Sequence, residues 1–170
     1  MLINSLSLLF TFTSFINELE ALGIALALWL MVSLVTGKTA EYWEFTEPKS
    51  LYYYLHSSWL GYLPLKDVFW PFFILLNATL LYIDYRIDEG SFTVASWVTV
   101  HIIFAMPLIY WTGAVWRCSD KCSARVWSIA ARFLNVAAFV DFGLRWIIYE
   151  YYPQILFNCL QMINQWGDCV

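Results

Sequence analysis

Four side chains able to do chemistry fall inside apolar stretches of the sequence: Asn77, His101, Asp141 and Arg145. A charge at bilayer depth costs about 2.5–3.5 kcal/mol even on insertion-based scales, so each needs a partner, an exit to water or a task. Asp141 and Arg145 stand four residues apart with the acid first, the favourable order for a helical pair. Helical side chains lean toward the N-terminus, so Arg145 is expected to reach back to Asp141 and neutralise it. If Tyr85, Phe92 and Tyr149 mark one membrane boundary, Asn77, His101 and Asp141 lie about eight or nine residues inside it. At about 1.5 Å per residue they share one depth of roughly 12–14 Å. Such a layer, drawn from three helices, could handle protons or ions or bind a polar ligand; the same residue types also serve as interhelical hydrogen-bond glue, worth about 0.6 kcal/mol each. Pro107 removes a backbone donor close to this layer and frees the carbonyl of Ile103, a cause of kinking. Arg132 points about half a turn away from Asp141 and leans toward the opposite boundary. It is therefore expected to snorkel to water or lipid phosphate as an interface anchor.

Other chemistries fit the residue inventory poorly. Membrane di-iron sites need Glu-x-x-His pairs or many histidines, and this chain holds only His56 and His101. No metal site is expected and no cofactor is required. A haem is open only through His101, shared with another subunit, because His56 belongs to a loop. Glu41, Glu44 and Glu47 read as a solvated acidic face, lacking the oxygen-ligand pattern of a calcium loop. Cys118 and Cys122 form Cys-x-x-x-Cys, not the Cys-x-x-Cys of zinc and redox motifs. Cys159 and Cys169 fall across the membrane from them, where a disulfide stapling the C-terminal tail is expected. No nucleophile elbow, phosphate loop or dinucleotide fingerprint occurs.

The elements that must position these residues follow from composition. Of 170 residues, 61% are apolar, 20% aromatic and only 13% charged, with a mean hydropathy of +0.63. A soluble domain carries about twice that charged fraction, so lipid is the expected solvent. The ten tryptophans and eleven tyrosines suit the membrane interfaces. A net charge of −4 without a basic cluster excludes a nucleic-acid footprint.

We expect an all-α integral membrane protein, a single membrane domain over residues 1–170 with four transmembrane helices at approximately 19–37, 67–85, 92–116 and 126–149. The first sixteen residues are short for a span and read as an interfacial helix. No Lys or Arg precedes Lys38, so the basic region of a cleavable signal is missing. The first loop is aromatic and should lie on the membrane, with Trp43 and Trp59 as interface anchors. Residues 153–166 pattern as one uncharged amphipathic helix, with Ile155, Leu156, Cys159, Leu160 and Ile163 on its apolar face. Lys38, Lys49, Lys66, Arg117, Lys121 and Arg125 crowd one side against Arg86 on the other. The positive-inside rule then places both termini on the non-cytoplasmic side. The expected partners are the lipid bilayer and other membrane subunits. The leading functional expectation is a non-catalytic structural or accessory subunit of a larger membrane complex; the alternative is a small transporter, channel or membrane-embedded enzyme built on Asn77, His101, Asp141 and Arg145.

Overall fold

A computed structural model describes residues 18–37 and 50–167. The chain runs α1 (Glu18–Val35), α2 (Leu51–Leu60), α3 (Leu65–Asp88), α4 (Val94–Ser119), α5 (Arg125–Tyr151), α6 (Pro153–Leu156) and α7 (Cys159–Trp166), without a strand among the described residues. Three helices, α3, α4 and α5, are long and apolar enough to cross a membrane, at 24, 26 and 27 residues. This is a multi-pass membrane architecture. α1, the expected first span, has 18 residues and rises about 27 Å, short of a core of about 30 Å. The N-terminal segment, Trp43 and the Glu41–Glu47 run lie outside the described residues.

α4 is the hub, with α2, α3, α5 and α7 all packed against it. Its fully buried residues, Trp97, Trp111, Ala114, Val115 and Cys118, run along its length. Around them gather Phe69, Leu76, Leu108 and Ala131 toward one end, and Ile83, Ile87, Val94, Phe157 and Met162 toward the other. α1 leans on α5 from outside. There Trp29 meets Phe133 edge-on at 5.4 Å, and Arg125 donates to the terminal carbonyls of Ser33 and Thr36 at 2.9 and 3.1 Å. A cation on the last carbonyls of a helix offsets both its orphan acceptors and its dipole.

Residues Leu51–Leu60 of the aromatic loop form a docked helix. Ser50 caps α2 by accepting from the Tyr53 amide, and Gly61 ends it in the left-handed region at φ 76°, where its α-carbon sits against Arg117 of α4. Gly113 supplies the landing site, since a β-carbon there would come within 2.7 Å of the Trp59 ring. Trp59 stacks on Tyr110 at 5.6 Å and lies under the Arg117 guanidinium at 4.2 Å. The residue keeps 38% of its surface exposed. Leu51, Tyr52 and Tyr53 occupy the opposite, exposed face.

A proline explains the other anchor of α2. Pro71 sits inside α3 and has no N–H, which strips the carbonyl of Asp67 of its helical donor. The Tyr54 hydroxyl donates to that carbonyl at 2.6 Å. Burial, and then the neighbouring Tyr110 and Asp67, raise the Tyr54 pKa above its ordinary value, so it remains a donor across physiological pH.

The tail differs from the expected single amphipathic helix. Phe157 adopts an extended conformation (φ −121°, ψ 145°) and splits it into α6 and α7. The break changes which face points inward: Phe157 and Met162 are buried at 3% and 1%, whereas Leu160 and Ile163 remain outside. Periodicity across residues 153–166 assumes one uninterrupted helix, and that assumption fails at Phe157.

The Tyr54 bond predicts a conditional cost. In detergent unfolding, Tyr54→Phe should lose about 1–2 kcal/mol by orphaning the Asp67 carbonyl. In a Pro71→Ala background, where the backbone can supply a donor, the same change should be close to neutral; equal losses in both backgrounds would contradict the assignment.

Candidate functional site: a charged layer inside the helix bundle

The least apolar of the three long helices is α5. Its buried positions include Ser128, Arg132, Asn135, Asp141 and Arg145. These recur at helical spacing, so the polar side of α5 faces the bundle. Hydrocarbon cannot solvate such groups, and turning them inward is the stable solution.

Arg145 is 3% exposed. It makes a two-pronged contact with Asp84 of α3, Nη1 to Oδ1 at 2.8 Å and Nη2 to Oδ2 at 3.0 Å, while Nε faces Asp141 Oδ2 at 3.3 Å. The expected Asp141–Arg145 pair is thus present, but it is the longer arm of a triad. Fork-to-fork contact with a carboxylate is the stronger geometry for a guanidinium, and Asp84 receives it. Asp84 escapes notice in the sequence because it adjoins Tyr85, where a carboxylate reads as interfacial. The available signal is Arg145 itself, whose long side chain spans the level difference.

Two carboxylates share one guanidinium, which leaves a formal charge of −1 among the three side chains. Asp141 is 4% exposed, and its Oδ1 has no hydrogen-bond partner among the described residues. Asp141 lines a cavity of about 20 Å³ together with Asn77, Phe73, Phe104, Trp111 and Phe142. That volume admits one water, given polar partners. The Asn77 amide nitrogen donates to the Phe73 carbonyl at 2.8 Å. Trp111 Nε1 is a further buried donor without a partner among the described residues. Asn77 and Asp141 thus line one cavity.

His101 is fully buried beside this group and not hydrogen-bonded to it. Its Nδ1 meets the Trp97 carbonyl at 2.9 Å. A carbonyl only accepts, so Nδ1 is the protonated nitrogen and Nε2, which has no partner among the described residues, carries the lone pair when the ring is neutral. Trp97 stacks on the imidazole at 3.8 Å and Phe142 flanks it at 5.9 Å. At 0% exposure His101 does not reach a surface at which a neighbouring subunit could share a haem. Asp84, Asp141 and Arg145 all lie within electrostatic range of its ring.

Near the other end of α5, Arg132 is 3% exposed and its guanidinium goes to protein groups where lipid or water was expected. It donates to Ser119 Oγ at 2.7 Å, Thr36 Oγ1 at 3.2 Å and the Trp116 carbonyl at 3.2 Å, pairs with Asp120, and stacks over Trp116 at 4.6 Å. It travels toward the helix end as a snorkelling residue does, but it meets α1 and the end of α4 there. Asn135 is a further buried polar residue that sequence reasoning leaves unassigned; neither amide atom has a partner among the described residues. Cys118 and Cys122 are free thiols, Cys159 lies in α7, and its expected partner Cys169 is outside the described residues. Among the described residues no three His, Cys, Asp or Glu side chains converge as a metal site.

Compared with protein families, curated proteins and solved structures, the chain matches none of them.

The triad predicts unequal mutational costs. Arg145→Met strands the buried Asp141 carboxylate and unpairs the half-buried Asp84, and should cost about 3–5 kcal/mol in detergent unfolding, or prevent accumulation. Asp84→Asn should cost clearly less, because Asp141 keeps its partner. Adding Asp141→Asn to Arg145→Met should recover part of the loss; failure to recover any would mean that the guanidinium acts through packing alone.

Proposed function

We propose that this chain is a non-catalytic accessory subunit of a larger membrane complex, a compact helix bundle that packs against partner helices. The observation that carries this reading is how the interior charges are used. Arg132 and Arg145 are each committed to cross-links between helices, and the cavity at the charged layer has room for about one water, which suits a scaffold better than a conduction path. α1 supports the same reading: it is attached through α5 and leaves Leu22, Leu26, Leu30 and Leu34 exposed at helical spacing. In this proposal α1 is a fourth crossing completed by neighbouring helices, both termini lie opposite the Lys- and Arg-rich end, and a Cys159–Cys169 disulfide holds the tail.

A second reading rests on one observation, the unpartnered Asp141 Oδ1 facing a water-sized cavity beside Asn77. In it, Asn77, His101, Asp141 and Arg145 form a working polar site of a small transporter, channel or membrane-embedded enzyme.

Two measurements separate them. Purified in mild detergent from its native membrane, an accessory subunit should elute with other membrane proteins in fixed ratio, and a lone homo-oligomer would overturn that proposal. Asp141→Asn and His101→Phe, made separately, should then lower abundance only modestly and leave assembly intact. Normal abundance and assembly with complete loss of cellular function would favour the working polar site.

A further inference from the structure

A wide recess lies away from the charged layer. It is a cleft of about 750 Å³ between the leading ends of α3 and α5. Its walls are apolar, with Phe69 on one side and Ala130 and Leu134 on the other, and Lys66, Cys122 and Ser123 lie along its lining. Trp70 and Trp127 flank it at 54% and 67% exposure, as amphipathic rings do at a membrane interface.

Its depth identifies what it can hold. Along α5 the lining runs from Trp127 to Leu134, about 10 Å at 1.5 Å per residue. Beyond that level α3 and α5 converge on the small cavity at Asp141 and are tied by Asp84 and Arg145. The lined length is shorter than the half-thickness, about 15 Å, of a membrane core of about 30 Å, so the cleft is a wedge confined to one leaflet. A crossing helix about 10 Å wide and 27 Å long occupies roughly 2,000 Å³ and passes through both leaflets. It does not fit a recess confined to one, whereas a lipid chain ends at the midplane.

The mouth carries the complementary charge. Lys66 is exposed, and among the described residues no hydrogen bond or ion pair engages its ammonium. The neighbouring cations are engaged: Arg117 with Trp59, Lys121 with the Tyr62 ring and Arg125 with α1. Two long helices also begin here, and neither Pro64 nor Ala124 supplies a side-chain cap. Open first-turn N–H groups favour an anion, with Asp67 in the first turn of α3 as the opposing charge and no acid in the first turn of α5.

We propose that this wedge is a binding site for one membrane phospholipid with an anionic headgroup, its acyl chain between α3 and α5 and its phosphate beside Lys66. The test uses the full chain in nanodiscs of phosphatidylcholine, with and without an equal part of phosphatidylglycerol, followed by native mass spectrometry and peptide-mapped maleimide labelling of Cys122, a partly exposed free thiol in the lining. The expected result is one phosphatidylglycerol retained per chain in preference to phosphatidylcholine, with slower Cys122 labelling when phosphatidylglycerol is present. Lys66→Glu changes an exposed position and should reduce that preference roughly fivefold or more, on the scale of about one surface cation. Ala130→Trp should fill the wedge and abolish retention of both lipids. Unchanged preference in Lys66→Glu would overturn the proposal, even if Ala130→Trp failed to fold. So would equally slow Cys122 labelling in both membranes, the result expected if a protein segment fills the wedge.

Discussion

Hydrocarbon offers no hydrogen bonds, and α5 carries polar groups that require them. That mismatch fixes the rotation of α5 about its axis: Ser128, Arg132, Asn135, Asp141 and Arg145 must turn toward protein. Once they do, the other elements are constrained. α3 must lie where Asp84 can meet Arg145, α4 must bring Trp116, Ser119 and Asp120 to Arg132, and α1 must end where Thr36 reaches the same guanidinium. Association of helices in lipid has no hydrophobic drive of its own, so packing and such polar links hold the bundle.

The two arginines do different work with the same chemistry. Arg132 collects two hydroxyls, a carbonyl and a carboxylate from elements that meet near one end, which fixes where those elements stop. Arg145 binds two helices that are not neighbours in sequence and carries a surplus carboxylate with it. α2 is held by smaller means: Gly113 removes a side chain so that Trp59 can seat, and Tyr54 takes the carbonyl that Pro71 releases. A proline in a membrane helix is tolerated when the freed group finds a donor, and here that donor comes from a separate, short helix.

Much of this was legible in the residues. Long apolar runs mark α3, α4 and α5 because lipid demands length and hydropathy together, and both can be read along a sequence. That Asn77 and Asp141 meet at one cavity fits residue counting from the interfacial tyrosines, since helical rise is nearly constant. What could not be read is pairing between helices. Asp84 sits beside a tyrosine and looks solvated until α5 is placed next to it. Arg132 leans toward an end whose occupants, α1 and the α4 terminus, only the fold reveals. The tail shows a different limit: face assignments depend on an unbroken helix, and one extended residue, Phe157, exchanges Leu160 and Ile163 for Met162 as the buried contact.

The Asp84–Arg145 contact also bears on how such a chain enters a membrane. α5 alone would present Arg132, Asp141 and Arg145 to lipid, each at a cost of a few kcal/mol. α3, by contrast, carries Asp84 within about a turn of its end, close enough to water to wait there unpaired. Synthesis delivers α3 first and α5 last among the long helices, so the tolerable charge is in place before the intolerable ones arrive. Insertion of α5 is then a docking event against helices already present, and its efficiency is set by α3 and α4 as much as by its own hydropathy.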